Sequence, residues 1–443
     1  MAKPRAFKDF IVELRDYDQA ADSYTVALAP AQGWGDPAAV KVKLDPPGIQ
    51  KSLDRLEAKK IFVDDLIPLG QQLMDRLLPD GDLRALFVNA VKTAGPDQGV
   101  RLRLVIQDTG LAQLPWEYSY LKIQAGAEDR THFLVIHPKI SLVRHTPINA
   151  PLPDLAFSDP KDLRLLAVMA NPASPDFREL DLDTEERVIE KALGDFNVDG
   201  AVIHWQPVRT DVTPAGLSQA LLDKPQLFHF SGHGQFKPLD DFASLVLLKD
   251  DGSKEPELVP AADIARKLQT AGVRLAYLGA CESGRQRGLT PWTGIAPALA
   301  AAGIPAVVAM QYELLDDMAI LFAQAFYTSL GAGLSVDEAV TVGRLAVLDK
   351  SSDKGVEWGV PTLYLRSPDG VLFPEVTGQP SATADGIRAS VKAIIDTIES
   401  GGTVIGMRFK KTPGSGTFSV EHTVKVVKGN VIGMEFDDFN ING

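Results

Sequence analysis

One cysteine and one histidine stand at matching places in this sequence. Gln226-Leu227-Phe228-His229-Phe230-Ser231-Gly232-His233-Gly234 is an apolar run that ends in small residues around an imidazole. Leu275-Ala276-Tyr277-Leu278-Gly279-Ala280-Cys281-Glu282-Ser283-Gly284 does the same around the chain's single thiol, 48 residues later. A thiol with its ordinary pKa near 8.5 is only a few per cent thiolate at neutral pH. A neighbouring imidazole stabilises the thiolate as an ion pair or takes the proton during attack, and later protonates a leaving amine. Glycines beside both residues let a peptide approach closely and expose backbone N–H groups. The amides of Gly234 and Cys281 are therefore candidate donors to the oxyanion of a tetrahedral intermediate.

Taken singly, neither residue decides anything. A lone cysteine after an apolar strand is equally an inert core residue, and a histidine in Ser-Gly-His-Gly equally a turn residue. Their joint occurrence at two matching strand ends favours nucleophile and base. The other histidines, His132, His137, His145, His204, His229 and His422, form no metal-ligand spacing with a cysteine, so no zinc site is expected. His229, two residues before Ser231, reads as packed or hydrogen-bonded. No Gly-rich phosphate loop of the Walker type occurs, and no cofactor is expected.

Active-site groups of an open parallel sheet gather just beyond the carboxyl ends of its strands, so the surrounding elements must supply such a sheet. The runs 165–170, 201–208, 226–231, 274–279, 306–310 and 362–365 read as strands. Helical patterns stand between or after them at 182–193, 214–222, 260–271, 294–302, 316–330 and 336–348. Strands alternating with helices predict an α/β fold whose mostly parallel sheet is flanked by helices. Before it, strands at 10–14, 23–28, 100–107 and 133–136 and helices at 49–62, 65–78 and 83–94 predict an N-terminal α/β unit. The expected organisation is 1–155 for that unit and 160–373 for the domain carrying His233 and Cys281. Residues 374–386 read as a linker, and 387–443 as a small C-terminal α+β module. The module has a helix at 387–400 and one internal repeat, Val404-Ile405-Gly406-Met407-Arg408-Phe409 returning as Val431-Ile432-Gly433-Met434-Glu435-Phe436.

A net charge of −13 argues against nucleic acid as the main partner, because phosphate binding needs a basic surface. The N-terminus lacks the apolar run of a secretory signal, and no stretch reaches the roughly 20 apolar residues of a membrane span. With one cysteine no intrachain disulfide can form, and a cytoplasmic location is expected.

The two motifs together, Phe230-Ser231-Gly232-His233-Gly234 and Leu278-Gly279-Ala280-Cys281-Glu282-Ser283-Gly284, resemble the CHAT family of caspase-like peptidases, in the clan of caspases and separases. Leu114-Pro115-Trp116-Glu117 with Ser141-Leu142-Val143-Arg144 is similar to that family's N-terminal portion. Gly303-Ile304-Pro305-Ala306-Val307-Val308, Asp316-Asp317, Phe322 with Phe326-Tyr327, and Ser335-Val336-Asp337-Glu338-Ala339-Val340 are similar to its C-terminal half. The resemblance covers roughly residues 80 to 367. It implies a caspase-like fold, a His233–Cys281 dyad with oxyanion donors at Gly234 and Cys281, and a regulated role in prokaryotic signalling, defence or cell death. Two places before the cysteine, where the family often has Ser, this chain has Gly279. Relative to caspases it lacks Gln before Ala280, which warns against assuming cleavage after aspartate.

Asp316 and Asp317 follow the strand 306–310, where an acid at a pocket mouth would attract Lys or Arg before the scissile bond. They are equally acids at a helix N-terminus, stabilised by the macrodipole. Glu282 stands where it could tune the thiol. The leading expectation is a cysteine endopeptidase acting on a protein or peptide substrate through an acyl-enzyme. Residues 387–443 would then mediate contact with an activating partner or self-association. The alternatives are a catalytically silent scaffold or adaptor on the same fold, and a thiol acyl-hydrolase acting on small esters.

Overall fold

The computed structural model describes residues 4–372, apart from 30–32, 36, 124–128, 146–162, 178–179, 181–182, 184–185, 188, 190–196, 199–200, 210, 238–241, 281–291, 313, 315 and 352–354; beyond these it describes 408–411 and 418–421. Within that set the architecture is the predicted one: α/β, a mixed sheet with a mostly parallel centre, flanked by helices.

The strands are β1 (Ala6–Asp18), β2 (Ser23–Leu28), β3 (Val40–Lys43), β4 (Gln98–Ile106), β5 (Ile140–His145), β6 (Leu163–Met169), β7 (Asn197–Val198), β8 (Ala201–Arg209), β9 (Leu227–Lys237), β10 (Phe242–Leu248), β11 (Pro256–Pro260), β12 (Leu275–Ala280), β13 (Ala306–Met310) and β14 (Pro361–Leu365). Their order is β3-β2-β1-β4-β5-β14-β13-β12-β9-β6-β8-β7, with the β10–β11 hairpin attached to β9. The N-terminal strands therefore share one sheet with the strands that lead to the candidate site, joined where Arg144 of β5 pairs with Tyr364 of β14.

Continuous apolar runs become strands buried on both faces because successive side chains point to opposite sides. In β6, Leu165, Ala167 and Met169 enter one apolar core while Leu166 and Val168 enter the other. Strands β12 and β13 divide likewise, Tyr277 and Val308 on the first side, Leu278 and Val307 on the second. The first core is closed by the helices Asp316–Gly331 and Val336–Lys350, through residues such as Phe322, Phe326, Val336 and Ala339. The second is closed by Pro214–Ala220, Ala261–Ala271 and Trp292–Ala301. Strand β1 shows half-buried alternation, with Phe10, Val12 and Leu14 inside.

Several expectations are corrected. The run 133–136 is no strand: Leu134–Ile136 is a 3-10 turn, all three residues buried, and the strand lies later, at Ile140–His145. A short apolar run has no periodicity that separates a buried turn from a strand. The strand expected at 226–231 continues to Lys237, because β10 supplies a partner that its own apolar pattern did not reveal. The helix expected from residue 49 begins at Pro46 and ends at Glu57.

Of the predicted helix 182–193, residues 183, 186, 187 and 189 are described, and they are helical. In the C-terminal part, β15 (Arg408–Lys411) pairs antiparallel with β16 (Phe418–Glu421), Arg408 opposite Glu421. The linker 374–386, the helix 387–400 and the second copy of the repeat lie outside the described residues.

Candidate active site

His233 lies within β9, two residues past the last pairing of that strand with β6, Met169 with Ser231. It is one residue past the last pairing with β12, Ala280 with Gly232. From His233 onward β9 changes partner and runs antiparallel to β10, His233 opposite Val246 and Gly234 opposite Leu245. The imidazole thus stands beyond the carboxyl end of the parallel ladder although it is inside a strand. It is fully buried, with the Phe177 ring 5.3 Å from it, centroid to centroid.

Beneath it on the same face of β9 lie Ser231 and His229, because side chains two apart share a face. His229 makes a hydrogen bond at each ring nitrogen: Nδ1 is 2.7 Å from the Tyr327 hydroxyl, Nε2 3.0 Å from the Ser231 hydroxyl. Its ring stacks on Tyr277, 4.4 Å away, the residue paired with it across β9 and β12. His229 is therefore the packed, hydrogen-bonded histidine expected from sequence. It fastens β9 to β12 and to the helix Asp316–Gly331.

Cys281 and Glu282 lie outside the described residues, and with them the thiol half of the predicted dyad and its amide donor. What the structure describes is the residue before each partner: Ala280 and Gly232 sit opposite each other as the final pair of the β12–β9 ladder. Asp316 and Asp317 open the helix that ends at Gly331, and Asp317 is exposed. That position matches the helix N-terminal reading. The described residues contain no group of three or more His, Cys, Asp or Glu side chains able to hold a metal, and no helix among them is long and apolar enough to cross a membrane.

The rim beside the site is braced by charge. Gln311 follows β13 directly, one strand over from β12. Behind it Arg144 grips the buried Glu117 with both prongs, Nε to Oε1 at 3.0 Å and Nη2 to Oε2 at 2.8 Å. The same guanidinium donates to the carbonyls of Ala112 and, at 3.0 Å, Leu114. Burial alone would lower the Arg144 pKa; Glu117 more than offsets that and raises it. Turning the Gln311 carboxamide over gives it Glu117 Oε2 at 3.2 Å and Arg144 Nη2 at 3.1 Å, which matches donors to acceptors and is the orientation we adopt. The motifs Leu114-Pro115-Trp116-Glu117 and Ser141-Leu142-Val143-Arg144, far apart in sequence, are two halves of this one interaction.

A second buried pair ties the helix Val336–Lys350 to the N-terminal strands. Asp337, at the start of that helix, accepts Nε and Nη2 of Arg101, both at 2.8 Å, and the hydroxyl of Ser141. Ser335 and Glu338 close a capping box on the same turn.

The sequence matches the CHAT domain family model over residues 68–388. The chain belongs to the CHAT domain family. Its α/β fold, a mostly parallel sheet flanked by helices, is the class expected from the sequence. Among solved structures it is similar to separase in the Saccharomyces cerevisiae separase–securin complex, at 12% identity and a TM-score of 0.44, over 81% of this chain and 30% of that one. This chain therefore spans about a third of the length of that separase chain. It is also similar to the Arg-specific cysteine proteinase gingipain R (13% identity, TM-score 0.39, 74% of this chain and 76% of that one). The Drosophila initiator caspase Dronc matches at 10% identity and TM-score 0.33, over 50% of this chain and 87% of that one. No curated protein matches the sequence.

Three groups at the site escaped the sequence reading: Phe177 over the imidazole, and Gln235 and Ser244 beyond it. Gln235 shares the parity of His233, a signal available once the strand is known to reach Lys237. Phe177 and Ser244 gave none.

Proposed function

We propose that the chain is a cysteine endopeptidase in which His233 is the base and Cys281 the nucleophile. The observation that carries this is the Ala280–Gly232 pairing at the end of the β12–β9 ladder. The two residues of the proposed dyad are therefore each the next residue in sequence after a member of one paired position. One more step of the same ladder would set them opposite each other.

In the reaction, the Cys281 sulfur attacks the scissile carbonyl and His233 carries the proton to the leaving amine, which departs and leaves an acyl-enzyme. Water activated by the imidazole then releases the acid and restores the thiol. The amides of Gly234 and Cys281 are the proposed donors to the intermediate's oxygen. Glu282, Asp316 and Asp317 are proposed at the substrate end, with exposed Asp317 the acid available to a Lys or Arg side chain. Membership in the CHAT family and the buried rim beside β12 support a peptidase over an incidental cysteine. Residues 387–443 are proposed as the attachment that meets a partner or a second copy.

The test is cleavage of labelled casein by wild type, Cys281→Ala and His233→Ala, with thermal melts to verify folding. We expect activity in wild type only, at unchanged melting temperature. Equal cleavage by Cys281→Ala would sink the dyad, and hydrolysis of small thiol-reactive esters without casein cleavage would favour an acyl-hydrolase.

A further inference from the structure

Buried polar atoms are nearly always hydrogen-bonded, so exceptions ask for a reason. Two exceptions face each other beside His233. Gln235 Oε1 and Ser244 Oγ are both sealed from solvent and neither has a hydrogen-bond partner. They are register partners across β9 and β10, which puts their Cβ atoms about 5 Å apart on one face. His233 and its partner Val246 are the next pair along that same face. Ser244 is wholly buried.

We propose that Gln235 and Ser244 form a docking pair for the main chain of an extended peptide, next to the base. This rests on the peptidase reading in needing a peptide as ligand. The chemistry selects that ligand. Gln235 presents an acceptor and Ser244 a hydroxyl that donates, and one residue of an extended chain shows its N–H and C=O to the same side. The peptide N–H donates to Gln235 Oε1, and Ser244 donates to the peptide carbonyl. Neither group is charged and neither reads a side chain, so the pair holds peptides irrespective of sequence and leaves selectivity to other groups. Entry requires Phe177 to move off the His233 ring.

Anisotropy of fluorescein-labelled tryptic casein peptides on full-length Cys281→Ala measures docking without turnover. Adding Gln235→Ala or Ser244→Ala should weaken binding about ten- to a hundred-fold, the cost of a buried polar group left unpaired in the complex. The melting temperature should hold or rise, since the unliganded protein loses an unpaired buried atom. Three results overturn the proposal: binding within two-fold of the parent, no binding by the parent, or a melting temperature that falls together with affinity. The last would mean that the two atoms serve the fold through internal water. Casein cleavage by the wild type separates the two readings. Cleavage with binding insensitive to Gln235 removes only the docking pair. Binding sensitive to Gln235 without cleavage keeps the pair and removes the peptidase.

Discussion

Glu117→Gln should be among the most damaging near-isosteric changes in this protein, because one carboxylate serves two buried cations. Arg144 is bidentate to it, with side-chain exposures of 4% and 0%. Arg344 lies close enough to feel its charge, and burial holds the Arg344 guanidinium down to about 10. Gln fills nearly the same volume and keeps one acceptor, so packing barely changes while the counter-charge disappears. Removing one partner of a buried pair costs about 3–5 kcal/mol, since the remaining charge stays desolvated. At about 2.1 cal/mol/K per residue, the body from Ala6 to Leu365 has an unfolding entropy near 0.75 kcal/mol/K. The melting temperature should therefore drop by about 4–7 °C. Calorimetry and urea melts on Glu117→Gln, Arg144→Met and the Glu117→Leu/Arg144→Met double variant measure it. The double variant should recover part of the loss, because an apolar replacement of a buried pair is often close to neutral. A Glu117→Gln protein within about 1 kcal/mol of wild type, or losses that simply add, would refute this account of the rim.

Burial pushes the Asp349 carboxyl up to about 6 against the pull of Arg130. The folded chain therefore keeps a proton that the unfolded chain has released, and stability falls as pH rises from roughly 4 to 6. Asp349→Asn should gain about 1–3 kcal/mol at pH 7.5 and almost nothing at pH 4; equal gains in urea melts at both would show the shift to be wrong. His137, lowered to about 4 by burial and then by Lys139, has the opposite slope over much of the same window. It stays unprotonated in the fold while the unfolded chain takes up a proton, so its contribution is lost as pH falls from about 6.5 towards 4. Gly70→Ala should destabilise by about 1–3 kcal/mol despite the better helix propensity of Ala. The new Cβ would lie 2.5 Å from the Tyr118 carbonyl oxygen, which is backbone and cannot turn away. A melting temperature at or above wild type would contradict that.

Much of the sheet was legible because its strands are the kind that sequence marks best. Runs such as Ala306–Met310 are apolar throughout and bounded by breakers, and that one was read to the residue. The helices Asp316–Gly331 and Val336–Lys350 were likewise located to within two residues. What stayed hidden depended on distant partners. Strand β5 was visible only as the motif Ser141-Leu142-Val143-Arg144, since its identity as a strand comes from lying between β4 and β14. The β10–β11 hairpin escaped because its pairing with β9 is a fact of tertiary structure, and with it went Ser244. At the site, the types and spacing of His233 and Cys281 were informative. The Phe177 ring over the imidazole was not, because nothing local to residue 177 announces a contact 56 residues away.

Topology explains why motifs so scattered travel together. Strand β14 runs antiparallel to β13 and parallel to β5, so it reverses the sheet's direction midway and seams the N-terminal strands to those of the site. A seam of few pairings needs other fasteners, and contacts made by the two buried ion pairs cross it. Arg144 and Glu117, both from the N-terminal half, reach Gln311 at the end of β13. Arg101 and Ser141, from the same half, hold Asp337 at the start of the helix that packs over the first core. Buried charges cost more to desolvate than apolar contacts of equal size, so stability alone is a weak reason for them. Their directionality sets how the halves meet, and hence where β12 and β9 end relative to the rim. On the proposed peptidase reading, apolar replacement of both pairs would leave a folded protein whose casein cleavage falls further than its stability, a divergence that melting temperature and cleavage measured side by side would reveal.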